Sequence, residues 1–494
     1  MKKTIDLIRK FTIANQHVLL ITAVTIIGFF LRIYRVGEDS FWYDEAGQAM
    51  AAMQPRISDM FKIVQSHAGA MPLDYFVSRI MASISLHESI MRLPSVIWGT
   101  LTIPICYLLF NEIEIPYKKN VSLLTAFLLS ISPLHIQYSQ EMRFYAALMF
   151  FYLLATLFLI RALKNSTVLN WSVYFISACI GAYFHPYVLM TVLTGFIILF
   201  SKLLETHNIS IFWREHKNKI TAYMAINILL VLVFLPGYFF FHSQDTYSYA
   251  LDLRSDTILY GLGLKAIVTS KNLPPFGIWH LFQIITLAGG IFISLIYLKR
   301  TPVLAHLTIS IMIQIVSIII LDITNNYPFI PRQIIHLAPF TLFLSSIAVT
   351  TLFFSFKKSK LTLLIAIVGI LFLSYSSLLY TYAMYNQSKG NAREIASLIV
   401  DNYQAGQKVL VLSAQHETIL RFYLTRLVGE TNSTEMTTSV ENDEDVVSEI
   451  NTNPDIYFVF APRETNSETR AAIEGLGFKQ VKAPRGTDFL FIRP

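Results

Sequence analysis

Residues 37–46 read GEDSFWYDEA, so two adjacent carboxylates, Asp44 and Glu45, follow three aromatic residues. Such a pair admits two readings. Asp44 can cap a helix running through Ala46–Met53, with Glu45 favourable in its first turn. The pair can also supply a general base. Phe41, Trp42 and Tyr43 would screen it from water, and desolvation beside a second carboxylate raises one pKa towards neutrality. The readings are compatible, because a capping carboxylate can still take a proton.

A second charged stretch, SPLHIQYSQEMRFY at residues 132–145, carries Glu141 and Arg143. If it is one helix, Gln137, Glu141 and Tyr145 share a face and Arg143 points roughly opposite. Arg143 then either pairs locally with Glu141 or grips a phosphate bidentately. Arg332, in YPFIPRQIIHLAP at residues 327–339, offers a second phosphate contact or a charge snorkelling from an apolar segment to the interface. His185, in the FHPY break at residues 184–187, and His67, ahead of Pro72-Leu73, read as hydrogen-bonded structural residues supporting such a site. HExxH and CxxC are missing, which leaves a protein-built metal site with weak support. No cofactor is expected, with divalent-metal dependence unassigned. Cys106 and Cys179 lie in apolar runs and read as core residues.

The elements that must position these groups are membrane spans. The 494 residues are 54% hydrophobic and 14% charged, with a mean hydropathy of +0.51. Soluble proteins are about 45–50% apolar and about 25% charged. With 20 Gly, 18 Pro and 2 Cys, collagen, disorder and a disulfide scaffold are also excluded. The apolar residues fall in blocks near the roughly 20 residues a bilayer requires. About eleven such blocks occur: Val18–Tyr34, Leu93–Phe110, Val121–Ile136, Ala146–Leu163, Trp171–Phe184, Tyr187–Leu204, Ile220–Phe241, Ile278–Leu298, Val303–Leu321, Ile334–Phe354 and Leu361–Met384. The expectation is an all-α polytopic membrane protein.

Sidedness follows from the basic residues. The formal charge is +7, which in a soluble protein would suggest nucleic acid. Here Lys118-Lys119, Arg161, Lys164, Lys202, Arg214, Lys217, Lys219, Lys299-Arg300, Lys357-Lys358 and Lys360 sit in short alternate connections. By the positive-inside rule that side is cytoplasmic, and no nucleic-acid partner is expected. The first block begins with Lys2, Lys3, Arg9 and Lys10, and no small-residue cleavage site follows it. It reads as an uncleaved helix with the N-terminus inside. The loops at residues 36–92 and 242–277, the connections bearing Arg143 and Arg332, and the tail would then lie outside.

The tail changes composition. Helical periodicity at Ala392–Tyr403, Glu417–Leu427, Asp443–Ile450 and Glu468–Leu476 alternates with apolar strands at Lys408–Ser413, Asp455–Phe460 and Phe489–Ile492. Residues 386–494 are expected to form a small extracytoplasmic α/β domain with a parallel sheet, following a transmembrane domain at residues 1–385. It lacks GxGxxG and a Walker loop, which suits docking or acceptor recognition rather than nucleotide binding.

Three stretches together resemble a known family: Asp44-Glu45 after Trp42, Glu88-Ser89-Ile90-Met91-Arg92-Leu93-Pro94-Ser95, and the segment at residues 132–145. They are similar to the family 39 and family 83 polytopic glycosyltransferases, which include protein O-mannosyltransferases and the bacterial aminoarabinose transferase of lipid A. The likeness covers most of Leu31–Leu163, with a weaker segment at Pro331-Arg332, where Gln333 stands for the usual Tyr. Asp74 departs from the aromatic that relatives often carry in the first loop.

The resemblance implies a GT-C fold in a membrane, here a bacterial inner membrane. It implies a polyprenyl-phosphate sugar donor and a lipid, glycan or protein acceptor. It makes Asp44 the base or acceptor-orienting group, with Glu45 beside it, and makes Arg143 a donor-phosphate contact. Such a transfer needs a base and a cation for the departing phosphate, and one displacement inverts the anomeric centre. The rival reading is a transporter or flippase of lipid-linked sugars. Transporters usually show two related halves and charges near the midplane, and neither is evident here.

Overall fold

The computed structural model describes residues 16–67, 70–241, 262, 278–296, 302–324, 331–355, 360–386, 390–442, 445–463, 465–481 and 488–494. The basic start, the loop at residues 242–277, Lys299-Arg300 and Lys357-Lys358 lie outside the described residues. The chain divides into two compact units. The first takes the described residues within Met1–Tyr34, Phe61–Asp74 and Leu93–Met384, and the second takes those within Arg35–Met60, Tyr75–Arg92 and Tyr385–Pro494. Two stretches between the first and second apolar blocks therefore group with the C-terminal segment.

All eleven apolar blocks contain helix. Among the described residues, seven helices are long and apolar enough to cross a membrane, and a bent pair makes an eighth. Val168–Phe184, Leu281–Ile296 and His306–Leu321 are shorter apolar helices. The membrane helices that matter for the site are α1 (Gln16–Ile33), α6 (Leu93–Asn111), α7 (Lys118–Ser130), α8 (Pro133–Ser139) and α9 (Tyr145–Lys164). They are joined by α10 (Val168–Phe184), α11 (Met190–Thr206), α14 (Pro302–Thr324) and the 3₁₀ turn Pro331–Leu337.

The block at residues 121–136 is not one straight span. It breaks by 57° between α7 and α8. Ser132 caps α8 by accepting from the His135 N–H, and Pro133 occupies its first position, where a missing N–H costs nothing. The break leaves the last carbonyls of α7 without helical partners. Arg32, fully buried at the end of α1, fills that need: it donates to Ser130 O at 3.0 Å and Leu129 O at 3.3 Å. Its Nη2 also lies 2.5 Å from His135 Nδ1. A cation at a helix C-terminus is favoured by the dipole as well. The expectation of one helix through residues 137–145 is corrected too, because α8 ends at Ser139 and α9 starts at Tyr145.

Gly99 on α6 lets α8 approach. A Cβ there would lie 2.0 Å from Ser139 Oγ and 2.6 Å from Ser139 Cβ.

In the second unit, α2 (Tyr43–Ala52), α4 (Pro72–Ile84, from residue 75 on) and α5 (Glu88–Met91) come from the first loop. The C-terminal part runs α17 (Ala392–Asn402), β1 (Lys408–Leu412), α18 (Ala414–Val428), α19 (Glu430–Met436), β2 (Thr437–Val440), α20 (Asp445–Thr452), β3 (Ile456–Ala461), α21 (Ser467–Gly475), β4 (Lys479–Val481) and β5 (Phe489–Ile492). The sheet order is β2-β1-β3-β5-β4. The first three strands are parallel as expected, while β5 runs antiparallel to both β3 and β4. β1 and β3 are buried almost throughout, as strands covered on both faces should be. The short polar strands β2 and β4 carry no apolar run and were not legible in the sequence.

Candidate active site

The backbone at α2 separates the two carboxylates. Trp42 is the N-cap, in extended conformation, so Asp44 is the second helical residue and Glu45 the third. Asp44 is therefore not the cap. Glu45 reaches back to accept from the Trp42 N–H at 3.4 Å. It is fully buried, and Arg92 holds both its oxygens, Nε to Oε1 at 2.9 Å and Nη2 to Oε2 at 2.7 Å. Asp44 is half-buried in the same first turn, where the helix dipole favours its charge.

Arg92 is 2% exposed and spends its other donors on backbone carbonyls: Val36 O at 2.9 Å, Asp39 O at 3.0 Å and Ser40 O at 3.2 Å. Burial alone would lower its pKa, but the Glu45 carboxylate, with Tyr423 and Glu88, raises it above the ordinary value. It stays a cation. Arg393 takes the two carbonyls between, Gly37 O at 3.3 Å and Glu38 O at 2.9 Å. The five consecutive carbonyls of residues 36–40 are thus each held by one of two guanidinium groups. The next backbone group, the Phe41 N–H, donates to the Tyr423 hydroxyl at 2.6 Å. Tyr423 donates in turn to Glu88 Oε1 at 2.7 Å, and Arg393 Nη1 lies 3.0 Å from Glu88 Oε2. Burial, with the Glu88 charge beside it, pushes the Tyr423 pKa up. The segment leading to Asp44 is extended yet rigidly satisfied, which fixes where Asp44 stands.

The first unit gathers most of the other predicted residues. Between α8 and α9, the half-buried Arg143 lies with its guanidinium carbon 5.4 Å from the Phe144 ring centre. Ser95 donates to the Arg143 carbonyl at 3.4 Å. Tyr145, the first residue of α9, packs 4.4 Å from Phe144 and 4.6 Å from Tyr138. Arg332 stands over the Tyr145 ring at 5.8 Å. His185 stacks on Phe144 at 4.4 Å and accepts from the Tyr187 N–H through Nδ1 at 3.3 Å, which leaves its proton on Nε2. The arrangement brings Arg143, Tyr145, Arg332 and His185 around one pair of adjacent rings. Buried His336 packs edge-on to Tyr152 at 4.7 Å and Tyr187 lies 6.4 Å from it. Tyr152 donates to Gln314 at 2.9 Å, and Gln314 bonds Ser310 and Thr194.

Glu141 is buried and accepts from Gln137 at 3.4 Å, so those two meet although the helix ends between them. His67 is exposed and bonds locally to Ile63 O at 2.7 Å. The sequence reading quoted Arg92 and Glu88 only as part of a motif and did not single out Arg32, His336, Arg393 or Tyr423. Arg32 lies in the last turn of one span and Arg92 immediately precedes another, and a charge at that depth is itself a signal.

Residues 67–239 match the family model of dolichyl-phosphate-mannose-protein mannosyltransferase. No protein in the curated comparison set matches the sequence. Among solved structures, ArnT from Cupriavidus metallidurans bound to undecaprenyl phosphate is similar over 97% of this chain and 98% of its own, at 12% identity and a TM-score of 0.52. The apo oligosaccharyltransferase of Archaeoglobus fulgidus is similar over 97% of this chain and 74% of its own, at 11% identity and a TM-score of 0.57. AglB of the same organism, in complex with an inhibitory peptide and a dolichol-phosphate, matches over 98% and 75%, at 12% identity and a TM-score of 0.51. Over nearly its whole length the chain shares the polytopic GT-C fold of these structures, and residues 67–239 resemble the mannosyltransferase family.

Proposed function

We propose that the protein transfers a sugar from a polyprenyl-phosphate donor to an acceptor hydroxyl or amine on the non-cytoplasmic side of a bacterial inner membrane, with inversion. The observation that carries the reading is the division within the carboxylate pair. Glu45 is fully buried and held by Arg92 and the Trp42 N–H, and Asp44, one residue away, is half-buried at the second position of the same helix. Asp44 takes the acceptor proton as the acceptor atom bonds to the anomeric carbon. The bond from that carbon to the phosphate oxygen breaks, and polyprenyl phosphate leaves with its electron pair. Arg143, with Arg332 as a second cation, stabilises the charge that develops on the phosphate. Their aromatic surroundings strengthen that interaction by excluding water.

The undecaprenyl phosphate bound to ArnT and the dolichol-phosphate bound to AglB support the donor class. The clustering of Lys and Arg in alternate short connections supports the side. The test is transfer by the purified chain in nanodiscs from a synthetic polyprenyl-phosphate sugar, with the product anomer read by NMR. Inverted product and released polyprenyl phosphate are expected. Retained configuration, or transfer that persists in Asp44→Asn, overturns the reading.

A further inference from the structure

The second unit contains a cavity of about 200 Å³, lined by Trp42, Tyr43, Gln415, His416, Arg463 and Asp488 among others. Its position follows from the sheet. β1 and β3 are adjacent and parallel. The connection leaving β1 goes to β2 on one side, while the chain leaving β3 goes to β4 on the other. Open α/β sheets bind ligands outside the carboxyl ends of strands at such a switch point. Gln415 and His416 lie in the first turn of α18, just past the end of β1, Phe460 is the next-to-last residue of β3, and Arg463 lies just beyond it. Between β1 and Gln415, Ser413 has φ 99°, a backbone strain that a non-glycine residue adopts only under constraint.

The lining indicates the ligand class. The rings of Trp42, Tyr43 and His416 line it with apolar faces, backed by the fully buried Phe460. Gln415, Arg463 and Asp488 offer donors and acceptors of both charge signs, which suits a neutral polyol better than an anion. The Arg463 N–H donates to Asp488 Oδ1 at 3.2 Å, fixing that carboxylate at the wall. The volume is below the roughly 300 Å³ at which drug-sized pockets begin. That size suits a single small ring better than a larger ligand. Two of its wall residues, Trp42 and Tyr43, are the cap and first residue of the helix that carries Asp44.

We infer that this cavity binds a sugar ring of the acceptor, making the acceptor a glycan or glycolipid. This rests on the glycosyltransferase reading for its role, while the binding itself does not. The test uses saturation-transfer NMR on the full chain in nanodiscs, with methyl glucopyranoside, galactopyranoside and mannopyranoside as probes and a neutral hexapeptide as control. At least one glycoside should bind with roughly millimolar affinity. Gln415→Ala, which removes an exposed side chain, and Trp42→Phe should each weaken it about tenfold or more, with unchanged thermal melts.

Asp44→Asn should lower transfer by roughly 10²–10⁴ and keep glycoside binding, so failure of catalysis and failure of the cavity are separately visible. No binding by any glycoside, binding unchanged in both cavity variants, or binding of the peptide alone overturns the inference. Glycoside binding without any transfer activity in the wild type overturns its acceptor role.

Discussion

Arg92 grips both oxygens of Glu45, at 2.9 and 2.7 Å, and neither side chain is more than 2% exposed. A buried pair of this kind is poor evidence of net stabilisation, because desolvating two charges offsets much of their attraction. Its consequence is positional. The same guanidinium ties down Val36, Asp39 and Ser40, so the geometry of Asp44 depends on a side chain it does not need to touch.

Asp44→Asn should leave stability within about 0.5 kcal/mol, the range of substitutions away from caps and cores, because Trp42 holds the cap position. Turnover should fall by roughly 10²–10⁴, the contribution of a positioned base. Thermal melts beside a transfer assay check both. A stable, fully active variant assigns the proton transfer elsewhere.

Arg92→Met strands Glu45 without its cation and should destabilise the protein by about 3–5 kcal/mol. The double variant Arg92→Met/Glu45→Leu removes both charges and should recover part of that loss. Denaturant or thermal unfolding in mild detergent measures it. A double variant less stable than the single one would mean that the carboxylate has a further cationic partner.

Arg143→Ala should cost on the order of 2–4 kcal/mol in transition-state stabilisation, roughly a hundredfold or more in rate. Arg143→Lys should restore it only in part, since an ammonium lacks the planar fork. Arg332→Ala should cost less. Steady-state rates with a polyprenyl-phosphate sugar decide this, and normal turnover in Arg143→Ala would make the residue an interfacial charge.

Tyr423→Phe breaks the bonds to Glu88 and to the Phe41 N–H. The folded hydroxyl has a raised pKa, against about 10 in an unfolded chain. Its contribution is therefore fully present below pH about 10 and is lost as pH rises through the folded value, because only the unfolded chain then gains from ionising. At pH 7 the variant should be less stable by about 1.5–3 kcal/mol, typical of a hydrogen bond to a charged group. The gap to the wild type should narrow above pH 10. Melts across that range with a constant gap would show that the hydroxyl is not linked to folding.

A reporter active only outside the cytoplasm should be active when fused after Met384 and silent after Lys358. The reverse pattern would turn the proposed site to the cytoplasmic face.

Much of this was legible in the sequence because membrane helices announce themselves locally. The apolar blocks, the carboxylate pair and the long strands β1, β3 and β5 needed only composition and periodicity. Ser132-Pro133 carried a helix-start signal, yet apolar residues on both sides hid the bend. What could not be read was pairing across distance. Glu45 meets Arg92 47 residues on, and Arg32 reaches carbonyls 97 and 98 residues on. No local pattern encodes such partners. Asp44 looked like a cap because Asp caps well; the helix instead begins two residues earlier than that reading allows, with Trp42 in the cap position.

The bond from the Phe41 N–H to the Tyr423 hydroxyl joins positions 382 residues apart, and it has a cost in time. During synthesis the segment before Asp44 emerges early, but Arg393 and Tyr423, which hold it, are made near the end. Contacts of such separation form late because loop closure must precede them. The nascent chain therefore passes into the membrane with the segment before its carboxylate helix unsupported. A ribosome that stalls before the tail releases a protein with its membrane helices made and residues 37–41 without the side chains of Arg393 and Tyr423 that hold them.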